Sequence, residues 1–156
     1  MEISYYKSPV GILEIICKNE ALTSLQLVKN TKISCKESAF VKTVKTQLDE
    51  YFIGQRKIFN IKLTPEGTEF QKIVWKALRE IPYGKTKSYS EIAETIGNKK
   101  AQRAVGSACN KNPVIIIIPC HRVISKNGNL GGFAYGNSVK QVLLDIEYQN
   151  NSNICS

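Results

Sequence analysis

The chain has one histidine, one tryptophan and one methionine among 156 residues, and only 13 acidic residues against 22 lysines and arginines. Each scarcity narrows the field. With one imidazole and no Cys-x-x-Cys pair, no zinc site of familiar ligand spacing is expected, and only four cysteines converging in space would offer a metal a home. We therefore expect neither metal nor cofactor. No apolar run approaches the roughly 18 residues that a membrane-spanning helix needs, so no membrane partner is expected. The first residues carry Glu2 and scattered polar side chains instead of the basic start and apolar centre of a signal peptide, which points to a cytoplasmic protein, or a nuclear one in a eukaryote. The five cysteines, Cys17, Cys35, Cys109, Cys120 and Cys155, are odd in number and not closely paired, which argues against a secreted disulfide framework.

What is present describes a folded chain. A hydrophobic fraction of 42% excludes disorder, and the length suits one ordinary domain or two small ones. The net charge of +9 is unevenly spread: residues 85–126 hold eight basic residues against Glu91 and Glu94, a net of +6. Clustered positive charge is the footprint of nucleic-acid binding, and equally the composition of a lysine-rich solvated surface.

Residues 3–28 alternate in the manner of antiparallel strands, with turns at Ser8-Pro9-Val10-Gly11 and Lys18-Asn19-Glu20. Val41, Val44, Leu48, Tyr51 and Phe52 recur at helical spacing, so residues 37–53 are predicted as a helix ending near Gly54. Ile58 to Leu63 reads as a further strand. Pro65 and Gly67 then mark a boundary, which divides the chain into a structural domain at 1–64 and a second domain at 65–156. Thr68 and Gln71 have the spacing of a capping box, followed by a stripe of Phe70, Ile73, Val74, Ala77, Leu78 and Ile81. Trp75 reads as a core or boundary residue.

Two short helices are predicted next, 91–96 capped by Ser88 or Ser90, and 101–110. This is the outline of a helix-turn-helix. Ala101, Ala104, Val105 and Ala108 would face inward, leaving Gln102, Arg103, Gly106, Ser107 and Asn110 outside. Such a small, polar, basic face could approach a DNA backbone or minor groove, with Arg103 reaching into the base stack, or could be an ordinary exposed surface.

Val114 to Ile118 are five β-branched residues in a row, predicted as a strand buried on both faces and ended by Pro119. Cys120 and His121 follow. A thiol beside an imidazole suits a nucleophilic cysteine; it also suits an inert buried cysteine beside a hydrogen-bonded histidine. Residues 125–136 hold Gly128, Gly131, Gly132 and Gly136, a loop able to approach a ligand closely. Ser138 and Gln141 suggest a second capping box opening a helix with Val139, Val142, Leu143 and Ile146 on one face. Glu147 lies on or beside that face and needs either a partner, with His121 a candidate, or access to water.

These residues together resemble the O6-alkylguanine-DNA alkyltransferases, direct-reversal repair proteins, over nearly the whole length. The most specific part is Pro119-Cys120-His121-Arg122-Val123, preceded by Asn112-Pro113 and followed at the family's spacing by Lys140, Leu143-Leu144 and Glu147. Ser8-Pro9-Val10-Gly11, Gly67-Thr68-Glu69-Phe70-Gln71 and Ile81-Pro82-Tyr83-Gly84 add to it. The resemblance implies an α/β N-terminal domain with a ribonuclease-H-like sheet and a mostly α C-terminal domain carrying a winged-helix-like helix-turn-helix. It implies that Cys120 irreversibly accepts an alkyl group, commonly methyl, from O6 of guanine in double-stranded DNA, each molecule acting once and as a monomer. By the same resemblance His121 would take the thiol proton through a water, Glu147 would orient the imidazole, and Asn112 would hold the surrounding turn. Tyr89 would rotate the nucleotide and donate a hydrogen bond to the flipped base, and Arg103 would fill the vacated space. The carbonyls of Cys120 and Val123 and the amide of Ala134 would meet the guanine. Tyr135 falls where the family carries either glycine or a large aromatic, and would narrow the alkyl pocket. A damage-binding module without a nucleophile is argued against by Cys120; a cysteine hydrolase or other thiol transferase would turn over repeatedly and need no helix-turn-helix.

Overall fold

The computed structural model describes residues 1–32 and 36–152, so Cys35 and Cys155 lie outside the described residues. The backbone contacts group into two units, Met1–Glu66 and Gly67–Ser156. The first unit is built on an antiparallel meander of β1 (Glu2–Ser8), β2 (Gly11–Lys18) and β3 (Ala21–Val28). Alternation in β2 puts Leu13, Ile15 and Cys17 on the buried face, with Leu22 and Leu25 of β3 beside them. Helix α1 (Ala39–Phe52) covers that face with Val41, Val44, Leu48 and Tyr51, and its Ser38 cap accepts a hydrogen bond from the Val41 amide. The strand expected at 58–63 reduces to a single parallel bridge between Leu22 and Leu63. Gln47 explains part of this: its amide bonds both the N–H and the carbonyl of Asn60, so side-chain partners replace a ladder there.

The second unit opens with α2 (Glu69–Arg79), where Thr68 and Gln71 form the reciprocal capping box. Val74, Trp75, Ala77 and Leu78 are buried, whereas Ile73, expected in the stripe, is exposed. The Trp75 indole donates to the Ala108 carbonyl at 2.9 Å, which satisfies its polar edge inside the core. β4 (Lys87–Ser88) leads into α3 (Tyr89–Thr95), capped by Ser88 with Glu91 completing the box, and then α4 (Gln102–Asn110). α2, α3 and α4 pack against one another. On α4 the inward residues are Val105, Ala108 and Cys109; Ala104 is exposed, because the helix starts one residue later than expected.

The largest departure is at 114–118. All five residues are buried, yet they form a compact turn instead of a strand. The Ile117 amide bonds the Ile115 carbonyl across Ile116, whose φ is 74°, and the Cys120 amide bonds the Ile118 carbonyl across Pro119. These are two γ-turns, the first of the strained kind that a β-branched residue adopts only under constraint. Asn112 supplies the constraint, accepting from the Val114 amide at 2.9 Å and donating to the Ile118 carbonyl at 2.7 Å. Hydrophobicity reported the burial correctly, but side-chain hydrogen bonds selected the backbone path.

A short 3₁₀ turn (Cys120–Arg122) follows, then β5 (Val123–Ile124), which pairs in parallel with β4. Helix α5 (Asn137–Ser152) begins before Ser138, so the expected second capping box is not the start of the helix. Its buried face is Lys140, Leu143 and Glu147, with Val142 38% exposed. Two of those three inward residues are ionisable, which is why an apolar stripe misplaced the face. Among the described residues no helix is long and apolar enough to cross a membrane.

Candidate active site

The 3₁₀ turn presents Cys120, His121 and Arg122 in succession, all buried, and α5 brings Glu147 to meet two of them. The imidazole Nε2 lies 2.6 Å from one carboxylate oxygen. Arg122 grips the same carboxylate with two nitrogens, Nε at 2.7 Å and Nη2 at 3.0 Å, donates from Nη1 to the Ile81 carbonyl at 2.7 Å, and sits over the Tyr83 ring. Such a two-pronged grip fixes the carboxylate's orientation as well as its charge. Arg122 was legible only as part of the Pro-Cys-His-Arg run, and its role emerges from the fold.

Burial alone would raise the Glu147 carboxyl, but His121 and the permanently charged Arg122 hold it well below the usual carboxylate range. Burial keeps the His121 imidazole below its ordinary value despite the pull of Glu147. The resting pair is therefore a carboxylate and a neutral imidazole, and the carboxylate decides the tautomer. Nε2 carries the proton and donates it to Glu147, which leaves Nδ1 as an acceptor. Nδ1 is buried and has no hydrogen-bond partner among the described residues. Burial pushes the Cys120 thiol up to about 11, opposed by a hydrogen bond from Asn112 and the charge of Lys140. A thiol so placed ionises little at neutral pH, so it needs a base to become a nucleophile.

The remaining sequence candidates divide into two groups. Tyr89, Gln102, Arg103, Gly106, Asn110 and Gly132 line one open pocket of about 310 Å³. The Tyr89 hydroxyl donates to the Gly132 carbonyl at 3.4 Å. Gln102, Arg103 and Ser107 are exposed on α4, Ser107 outside that pocket's lining. Tyr135 is half-buried, its ring edge-on to Phe133, and its hydroxyl is raised by burial and by the nearby Cys120. Ala134 is exposed in the loop before α5. The Val123 carbonyl accepts from Lys140 at 2.5 Å, so a guanine edge there would use its second lone pair. Among the described residues no three histidine, cysteine or carboxylate side chains are grouped as metal ligands would be.

Comparison with known proteins adds the kinship that geometry cannot. Residues 1–65 match the family described as 6-O-methylguanine DNA methyltransferase, ribonuclease-like domain, and residues 69–149 match its DNA binding domain. A methylated-DNA-protein-cysteine methyltransferase of Methanosarcina mazei is 57% identical over 150 residues, covering 92% of this chain and 95% of that one. Its counterpart in Methanosarcina acetivorans is 48% identical over 153 residues, covering 94% and 98%. The crystal structure of Mycobacterium tuberculosis OGT in complex with DNA superposes with a TM-score of 0.89 at 40% identity, covering 96% of this chain and 94% of that one. With both halves of the chain matched, and in the order that the fold shows them, the protein belongs to the 6-O-methylguanine DNA methyltransferase family.

Proposed function

We propose that this protein repairs DNA by direct reversal, transferring the alkyl group of O6-alkylguanine in double-stranded DNA to Cys120 in a single, irreversible event. It is a methylated-DNA-protein-cysteine methyltransferase, as its relatives are named. The observation that carries the assignment of roles is the locked tautomer of His121. Glu147 occupies Nε2, and the only acceptor left on the ring belongs to the residue beside the cysteine.

In the proposed mechanism the thiol proton of Cys120 passes through a water to Nδ1 of His121, and the imidazolium is stabilised by Glu147, itself gripped by Arg122. The sulfur then forms a bond to the alkyl carbon as the carbon–O6 bond breaks. The electrons of that bond remain on guanine, which takes up one proton and leaves neutral, so the proton lost by sulfur is balanced by the one gained by the base. A thioether remains on Cys120, and nothing in the site can hydrolyse so stable a bond. Asn112 fixes the strained turn that aims the sulfur.

The alkylated atom cannot meet a buried cysteine while its base stays stacked, so the nucleotide must be rotated out. We assign delivery to α3 and α4, acting as a helix-turn-helix with α4 toward the DNA. Tyr89 turns the nucleotide and hydrogen-bonds the flipped base, Arg103 fills the gap, and Gln102, Gly106 and Ser107 allow close approach of the backbone. Val123, Ala134 and Tyr135 form the guanine pocket. This division makes the N-terminal domain structural and the C-terminal one the repair domain. Incubation with a duplex containing O6-methylguanine followed by intact-mass measurement tests the reading. One added methyl on Cys120, absent in Cys120→Ala, is expected; repeated turnover would exclude it.

A further inference from the structure

Lys140 is a fully buried lysine, 0% exposed, on the inner face of α5. Its ammonium donates to three backbone carbonyls, those of Val123, Leu130 and Gly132. Three acceptors match the three N–H groups of an ammonium; a neutral amine would leave one carbonyl unsatisfied. The carbonyls span the start and middle of the loop that joins β5 to α5, so one side chain ties that loop down. The same nitrogen lies 5.9 Å from the Tyr89 ring centre, and the Tyr89 hydroxyl bonds Gly132. Gly131 permits this closeness: its φ is +72°, and a Cβ there would come within 2.9 Å of the Tyr89 ring and hydroxyl.

Among the described residues no carboxylate pairs with Lys140. A cation buried without an anion is costly, by several kcal/mol. The groups whose charges reach it are Tyr89 from α3, Cys109 from α4, and Cys120 and His121 from the 3₁₀ turn. The Cys109 thiol is pushed up to about 12 and the Cys120 thiol to about 11, so Cys120 is the first of the two sulfurs to become an anion.

We propose that Lys140 is a positioning residue for the acceptor cysteine: its caged ammonium closes the 123–132 loop around the site and is the counter-charge of the Cys120 thiolate. This deepens the proposed function, since it rests on Cys120 being the acceptor. When the thiol proton leaves for His121, Lys140 acquires the anion that its burial otherwise denies it, and the thiolate gains a fixed positive charge.

The test follows the pH profile of Cys120 alkylation by iodoacetamide, read by mass at that residue, beside methyl transfer from duplex O6-methylguanine. In Lys140→Met the midpoint moves up by about one pH unit and reaction at neutral pH slows about tenfold, with transfer from DNA slowed in parallel. Lys140→Arg keeps the wild-type midpoint, because the charge is retained, even where the fork fits the three carbonyls poorly and lowers the overall rate. A folded Lys140→Met protein with an unmoved midpoint overturns the proposal, whatever its rate. Should Lys140→Met not fold, the reciprocal measurement decides: the isotope-labelled Lys140 Nζ resonance is titrated in the native protein and in Cys120→Ala. Loss of the thiolate lets Lys140 deprotonate at lower pH; identical midpoints overturn the proposal. Iodoacetamide needs no DNA, so a Lys140 effect without any methyl transfer would sink the repair function and leave this inference standing.

Discussion

Two regions of the C-terminal unit treat polar groups in opposite ways. Around Cys120 the charged side chains are buried and committed: Arg122 to Glu147 and Ile81, Glu147 to His121, Lys140 to three carbonyls. On α4, Gln102, Arg103 and Ser107 stand exposed beside an open pocket. A buried polar network holds its geometry because every broken bond leaves an unsatisfied group in a low-dielectric interior. An exposed face keeps its hydrogen-bonding capacity for a partner. Chemistry that depends on a tautomer belongs in the first region, and recognition of a long polyanion in the second.

The contrast predicts different failures on each side. The largest effect is expected at the network. Arg122→Met leaves Glu147 buried with only a neutral imidazole, and should cost about 3–5 kcal/mol of stability by urea unfolding as well as most of the transfer activity. A fully stable Arg122→Met protein would mean that the buried charges do not hold the turn. Next in size is the pH dependence of folding. Glu147 and His121 both have folded-state values below their ordinary ones, so the unfolded chain binds more protons and stability falls as pH drops below about 6.5. Cys120 and Cys109 are raised, to about 11 and about 12, so their contribution is present below the ordinary thiol value and is lost as pH climbs toward those values. Thermal melts across pH should therefore show a plateau that falls on both sides, with the alkaline fall reduced in Cys109→Ala.

On the exposed face, Arg103→Ala should leave stability within about 0.5 kcal/mol of the parent, as surface changes do. It should slow repair of duplex DNA at least about tenfold, a loss of about 1.4 kcal/mol, with reaction on free O6-methylguanine nearly unchanged. Equal losses on both substrates would count against base flipping and blur the two regions into one. The smallest effect is expected at Tyr135. Its half-buried ring narrows the pocket, so methyl should react faster than benzyl, and Tyr135→Gly should close that gap by about 1–3 kcal/mol. Comparable second-order rates for the two free bases with the parent protein would refute this role.

How much of this was legible beforehand differs from element to element. The β1 to β3 meander and the capped α2 were readable, because alternation and a capping box are local signals. α4 was found with its face rotated, Cys109 lying inside where Ala104 was expected. The strand before Cys120 was misread. Branched residues favour strands when the backbone is free to pair, and here Asn112 had already taken the hydrogen bonds at both ends of the segment.

By itself the sequence determined which residues carry the chemistry, since a lone histidine beside a cysteine, an asparagine ahead and a glutamate on the last helix leave few alternatives. It also determined the net charge that suits DNA. Only the tertiary structure decided how those groups act: which imidazole nitrogen is blocked, which arginine keeps the carboxylate charged, and which lysine is sealed in without an anion. The reason is physical. Residue types set what can ionise or attack, whereas protonation and direction follow from burial and from partners that lie 25 or more positions away in the chain, as Glu147 does from Arg122.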